Sequence, residues 1–169
     1  MTKAEELKKE AKRLDACDRG MSDWDNLHSD LDLIQKYVKE SEFCIKHNFP
    51  NMEYIKENFS KDMLHKGGVW IDDEIFSIPE RKSVLNGHCF GSAIFSGITS
   101  RLIRIRHTSE IELIADGNSR LFVHIYDDVR LKVNTKNQGR IYVYQHGGAI
   151  VAQSGDIIVR ECRKEGVVE

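Results

Sequence analysis

No apolar run in these 169 residues approaches the length needed to span a bilayer. The first residues, Met1-Thr-Lys-Ala-Glu-Glu-Leu-Lys-Lys, lack the apolar stretch of a secretory signal, so the expectation is a cytoplasmic protein with no membrane partner. An excess of one charge is missing too. The formal net charge is −2 and the isoelectric point about 6.4, which gives no whole-chain argument for nucleic acid. The four cysteines, Cys17, Cys44, Cys89 and Cys162, are scattered without a Cys-x-x-Cys, which argues against a disulfide framework and a zinc ribbon. The seven histidines show no metal-ligand spacing such as His-x-x-x-His. Phosphate loop, nucleotide fingerprint and Gly-x-Ser-x-Gly are absent as well. The expectation is therefore no metal, no cofactor and no catalytic residue. What remains, 40% hydrophobic and 31% charged residues, reads as a soluble, folded protein, and the length suits one good core, or one core plus a small appendage.

Charge and periodicity divide the chain at the same place. Residues 1–80 carry a net charge of −6 and residues 81–169 a net of +4. The first half reads as helical. Ala4, Leu7, Ala11 and Leu14 share one face of a helix over 3–16, with Gly20 placed to stop it. Ser29 with Asp32 looks like an N-cap with an acidic first turn. The stripe Leu31, Ile34, Tyr37, Val38, Cys44, Ile45 then predicts one helix of about 17 residues, stopped at Phe49-Pro50. Pro50 suits the first position of a short helix carrying Tyr54, Ile55 and Phe59. Gly67-Gly68 opens the segment 69–76, where two short apolar runs flank Asp72-Asp73 and suggest a small hairpin. These boundaries give a helical head at 1–66, a hairpin or linker at 67–80, a repetitive region at 81–163 and a charged tail at 164–169.

That region is organised in tens. Gly87, Gly97, His107, Gly117, Asp127, Asn137 and Gly147 fall ten residues apart, and all but one of their successors are polar or glycine, the exception being Ile98. Aliphatic columns keep the same spacing: Ile103, Leu113, Val123, Val133, Val143; then Ile111, Leu121, Leu131, Ile141, Val151; and more weakly Phe95, Ile105, Ala115, Ile125, lapsing at Thr135. Within each ten, apolar and polar residues alternate, which means strands with one buried face. Gly, Asp and Asn tolerate positive φ and mark the turns. An antiparallel meander has no reason to hold every strand and turn to one length. Stacked coils do, because an insertion throws every column out of register. The expected fold class is α+β, a helical N-terminal segment followed by a short β-solenoid, with an antiparallel β-sandwich or barrel as the alternative. Two tens make a coil of roughly 20 residues. Open coil ends recruit other strands. The helical half is one candidate cover for an end or a face, and the charged stretch from Cys162 to Gly166 another.

Coils of that length place strands 101–106, 121–126 and 141–146 side by side. Their outward residues form three ladders: Leu102/Phe122/Tyr142, Arg104/His124/Tyr144 and Arg106/Tyr126/His146. Contiguous aromatic surface is costly to leave in water. Three readings follow. The face is covered by the protein's own helices, or it joins copies of the chain into a homo-oligomer or binds another protein. In the third it holds nucleic acid or a small anionic ligand, with Arg104, Arg106, His124 and His146 supplying charge and Phe122, Tyr142 and Tyr144 stacking. Arg120, Arg130 and Arg140, also ten apart, suit either a phosphate-reading ridge or soluble strand starts. The alternate sheet, with Glu112, Ile114, Asp116, Lys132, Asn134 and Lys136, reads as ordinary solvated surface.

Features with chemical potential have simpler readings. His88-Cys89 puts an imidazole beside a thiol, yet neighbours on a strand point to opposite faces, so Cys89 reads as a small buried residue. Asp116, Asp127 and Asp128 invite comparison with calcium-dependent carbohydrate enzymes on large β-helices, but about four coils leave little room for a long groove, and Asp127 and Asp128 are more simply turn residues. Asp72-Asp73-Glu74 lacks the alternation and glycine of a calcium loop.

The segment Glu42-Phe-Cys-Ile-Lys-His-Asn-Phe-Pro50, the stretch Gly68-Val-Trp-Ile-Asp-Asp73 and the tens resemble uncharacterised small bacterial proteins, often carried on mobile elements, with a helical head and a single-stranded β-helix. That resemblance implies the same architecture and no activity. The chain is similar to bactofilin polymer-forming solenoids in general design only; its acidic helical head and its repeats, less rich in Gly and Val, depart from theirs. The expected function is a non-enzymatic protein-interaction or assembly module, with a binding module for nucleic acid or a small anionic ligand as the alternative and an enzyme third.

Overall fold

The computed structural model describes residues 1–162; the tail at 164–169, and all but Cys162 of the charged stretch that ends at Gly166, lie outside the described residues. The described chain forms two compact units, one ending at Val69 and one beginning at Trp70.

The first unit is helical: α1 (Lys3–Arg13), α2 (Asp18–Met21), a 3-10 turn (Trp24–Asn26), α3 (Asp30–Lys39), α4 (Ser41–His47), α5 (Met52–Asn58) and α6 (Lys61–Gly67). Local caps start these helices. Thr2 and Ser29 form capping boxes with Glu5 and Asp32, as the Ser29/Asp32 spacing implied. Three expectations change. The chain leaves α1 at Leu14, because Asp15 takes the left-handed conformation (φ 60°), and Gly20 lies buried inside α2 instead of ending α1. The long helix is two: at Glu40 the backbone swings to φ −100°, ψ 25°, and the small, buried Ser41 starts α4. Pro50 does not open α5. Asn51 is the N-cap, its Oδ1 accepting from Tyr54 N at 2.9 Å, and Met52 is the first helical residue. The helix α6, unforeseen in sequence, ends on Gly68 at φ 89°.

The second unit is a β-solenoid of roughly four coils, which rules out the sandwich and the barrel. Its strands are β1 (Val69–Ile71), β2 (Glu74–Ile75), β3 (Lys82–Asn86), β4 (Phe90–Phe95), β5 (Ile98–Ile105), β6 (Glu110–Ala115), β7 (Asn118–Ile125), β8 (Arg130–Thr135), β9 (Arg140–Gln145), β10 (Ala149–Ser154) and β11 (Ile157–Glu161). Odd strands stack in one sheet, β1-β3-β5-β7-β9-β11, and even strands in the other, β2-β4-β6-β8-β10. The central strands pair in parallel twenty residues apart, Leu102 opposite Phe122 opposite Tyr142, and Glu112 opposite Lys132. The stretch 69–76 is therefore no hairpin. Its two strands lie in different sheets and begin the first coil. Two short apolar runs around an acidic turn look alike in both arrangements; the partners supplied by β3 and β4 decide between them.

Of the seven turn positions, six have left-handed backbones: Gly87 (φ 72°), Gly97 (77°), His107 (61°), Gly117 (62°), Asp127 (52°) and Asn137 (56°). The seventh moves from Gly147 to Gly148 (φ 75°). There the last coil shortens, and the β8–β10 register shifts between Ile150 and Ala152. Val151 consequently leaves the inward column and is 39% exposed, while Ile150 packs against the core. Between the sheets Ile103, Val123, Val143, Ile111, Leu131 and their neighbours make a core closed to water. Side chains stitch the turns. Gly87 N donates to His107 Nδ1 and His107 N donates to Asp127 Oδ2, each at 2.9 Å, so each coil satisfies a backbone donor of the one before it.

Candidate interaction face

Because side chains alternate along a strand, burying Ile103, Val123 and Val143 obliges residues 102, 122 and 142 to face outward. Phe122 and Tyr142 stack with ring centroids 5.0 Å apart and planes within 5°. His124 stacks on Tyr144 at 4.6 Å and 14°, and Tyr126 on His146 at 4.5 Å and 5°. A bond between His124 Nδ1 and His146 Nε2, 2.9 Å long, joins the second and third columns. Parallel in-register pairing places each ring over its counterpart one coil away, and all six rings are half-buried.

Charge at this face is managed tightly. Burial, then Arg104 and then His146 push the His124 imidazole down to about 4, so it is neutral at pH 7 where it meets His146. Arg104 is the register partner of His124 and half-buried. Arg106 departs from the expected arrangement: it is 7% exposed and its Nη1 donates to Asn86 Oδ1 at 3.2 Å, so it does not present charge outward. Arg140 Nε donates to Asp156 Oδ2 at 2.7 Å while its Nη1 reaches Tyr142 Oη at 3.4 Å. Hydrogen bonding to Arg140 holds the Tyr142 phenol below its usual range, with Arg120 adding to the effect. Arg130 pairs with Glu110 at 3.5 Å.

The chemical candidates are separated. Burial pushes the Cys89 thiol up to about 11, and its Sγ lies 3.3 Å from Asn86 O. His88 instead turns its Nδ1 to Thr108 O at 2.8 Å and stacks on Phe90. Asp72 Oδ1 accepts from His88 N at 2.7 Å, and Asp116 Oδ1 from Gly117 N and from Asn137 Nδ2; both act as turn braces. Among the described residues no group of three or more His, Cys, Asp or Glu is placed to hold a metal ion. Among them, too, no helix is long and apolar enough to cross a membrane.

The first coils hold a feature that the pattern underrated. Phe76 (76% exposed), Ile94 (66%) and Ile98 (92%) stand in solvent at the first coils. The signal was in the alternation: Ala93 and Phe95 take the inward positions, which leaves Ile94 outside, and Ile98 is the single apolar successor to a turn residue. The second unmarked feature, a cavity in the helical unit, has no signal in one-dimensional periodicity. No protein-family model, no curated protein and no solved structure matches this chain.

Proposed function

We propose that the chain is a non-enzymatic assembly module whose solenoid joins copies of itself through the aromatic face. The observation that carries this reading is the set of three stacked columns, Phe122/Tyr142, His124/Tyr144 and Tyr126/His146. Their rings are held in one plane family by the parallel register and tied by the His124–His146 bond. Such a surface is rigid before any contact is made, so little side-chain entropy is lost on association. Aromatic residues with polar edges are also what contact surfaces are enriched in.

The state of three of the arginines favours a protein contact over a phosphate contact. Arg106 is buried, and Arg130 and Arg140 are matched by Glu110 and Asp156. A nucleic-acid platform depends on unmatched positive charge beside its stacking rings. The test is the mass in solution, by size exclusion with light scattering, of the wild type and of the Tyr142→Glu, Tyr144→Glu double variant. A defined oligomer that becomes a folded monomer in the variant supports the reading. A wild type that stays monomeric at every concentration, or a variant of unchanged mass, overturns it.

A further inference from the structure

The helical unit contains a cavity of about 70 Å³. Its wall includes Leu7, Ala11, Cys17, Trp24, Leu33 and Cys44, and small residues contribute where larger ones would close it. Protein interiors rarely leave voids larger than a water molecule. Trp24 stands in this wall, 7% exposed, and its buried indole N–H has no acceptor among the described residues. A buried indole N–H ordinarily finds one. The neighbouring cation does not share that condition: Lys36 Nζ lies 5.6 Å from the Trp24 ring centroid and donates to Gly20 O at 2.6 Å and to Asp23.

We propose that this cavity is a binding site for a short, neutral carbonyl compound, or the carbonyl-bearing end of a longer one, whose oxygen accepts from Trp24 Nε1. Size sets the length. An apolar cavity of about 150 Å³ takes benzene, so a site about half as large takes roughly three or four heavy atoms. Polarity sets the class. An indole N–H is a donor only, which calls for an acceptor. A hydroxyl would bring a donor of its own into a wall whose one carboxylate, Glu40, already faces Lys36 Nζ at 3.8 Å. Water fits poorly, because a buried water needs two to four polar partners.

The test uses the full chain and acetone, with isobutene as the hydrocarbon of the same shape. Trp24 and Trp70 are the only tryptophans, so two indole N–H signals appear in an amide correlation spectrum, and Trp24→Phe assigns them. The expected result is a saturable downfield shift of the Trp24 signal with acetone, a fixed Trp70 signal, and no downfield shift with isobutene. Filling the cavity by Ala11→Leu should weaken acetone binding at least tenfold. The wild-type titration does not depend on that variant folding. An unmoved Trp24 signal, a linear drift shared with Trp70, or undiminished binding in a folded Ala11→Leu protein would each overturn it.

Discussion

Ile141 and Ile157 occupy the same inward column on adjacent coils, paired Cα to Cα between β9 and β11. Ile141 has Leu121 on its other side and is closed to water. Ile157 is half-buried, because β11 ends its sheet among the described residues. Truncating both to alanine therefore compares one chemistry in two surroundings. Ile141→Ala loses the transfer free energy and leaves a void enclosed by coils on both sides, costing about 3–4 kcal/mol. Ile157→Ala removes a side chain already partly wet and leaves no enclosed void. At about 25 cal/mol per Å² of apolar surface, its cost is about 1–1.5 kcal/mol. The difference, about 2 kcal/mol, corresponds to roughly 1 M in urea midpoint for ordinary slopes. Urea unfolding followed by Trp70 fluorescence, in a Trp24→Phe background, reads it directly, since Trp70 belongs to the solenoid core. Equal losses would refute the reasoning and mean that the last coil is as enclosed as the middle ones.

The remaining expectations are compact. Gly139→Ala would set a Cβ 2.1 Å from Ala115 O on the coil before and should cost more than about 2 kcal/mol. Gly97→Ala meets no atom within 4 Å and carries only the strain of φ +77°, about 1 kcal/mol, so equal melting shifts for the two would contradict the close stacking of coils. For His124 the folded pKa, about 4, lies below the reference value of 6.5. As pH falls the unfolded chain takes up that proton first, so stability is full above about 6.5 and declines towards 4. His107, lowered by burial, acts in the same direction. His124→Phe should flatten part of this slope in urea midpoints taken across that range, and an unchanged slope would show that His124 is not held neutral.

Much of the fold was legible in the sequence because its determinants are local. Alternation told which residues face inward, and residues that tolerate positive φ told where strands turn, correctly at six of seven positions. Equal lengths of strand and turn then left stacked coils as the economical arrangement, and the columns Ile103/Val123/Val143 and Ile111/Leu131 follow from it. The outward rings of the candidate face were legible for the same reason: period two leaves them no other side.

What periodicity left open depends on neighbours in space. The runs around Asp72 were equally compatible with a hairpin and with a first coil, until β3 and β4 supplied parallel partners. Val151 kept the spacing of its column, yet a shortened last coil turned it outward in favour of Ile150. Arg106 sits at an outward position by count and is nevertheless buried on Asn86, since a long side chain follows its hydrogen bonds and not the pleat. Trp24, Ala11, Gly20 and Cys44 belong to four separate helical elements, and only their packing makes a cavity of them. The sequence by itself determined the coil, the register of its central strands and its outward rings, because those follow from alternation along each strand and from turns that recur at one spacing. Tertiary structure alone decided which edges pair, which charges are spent internally and where the helices leave space, because each of these is a relation between residues that the chain brings together only on folding.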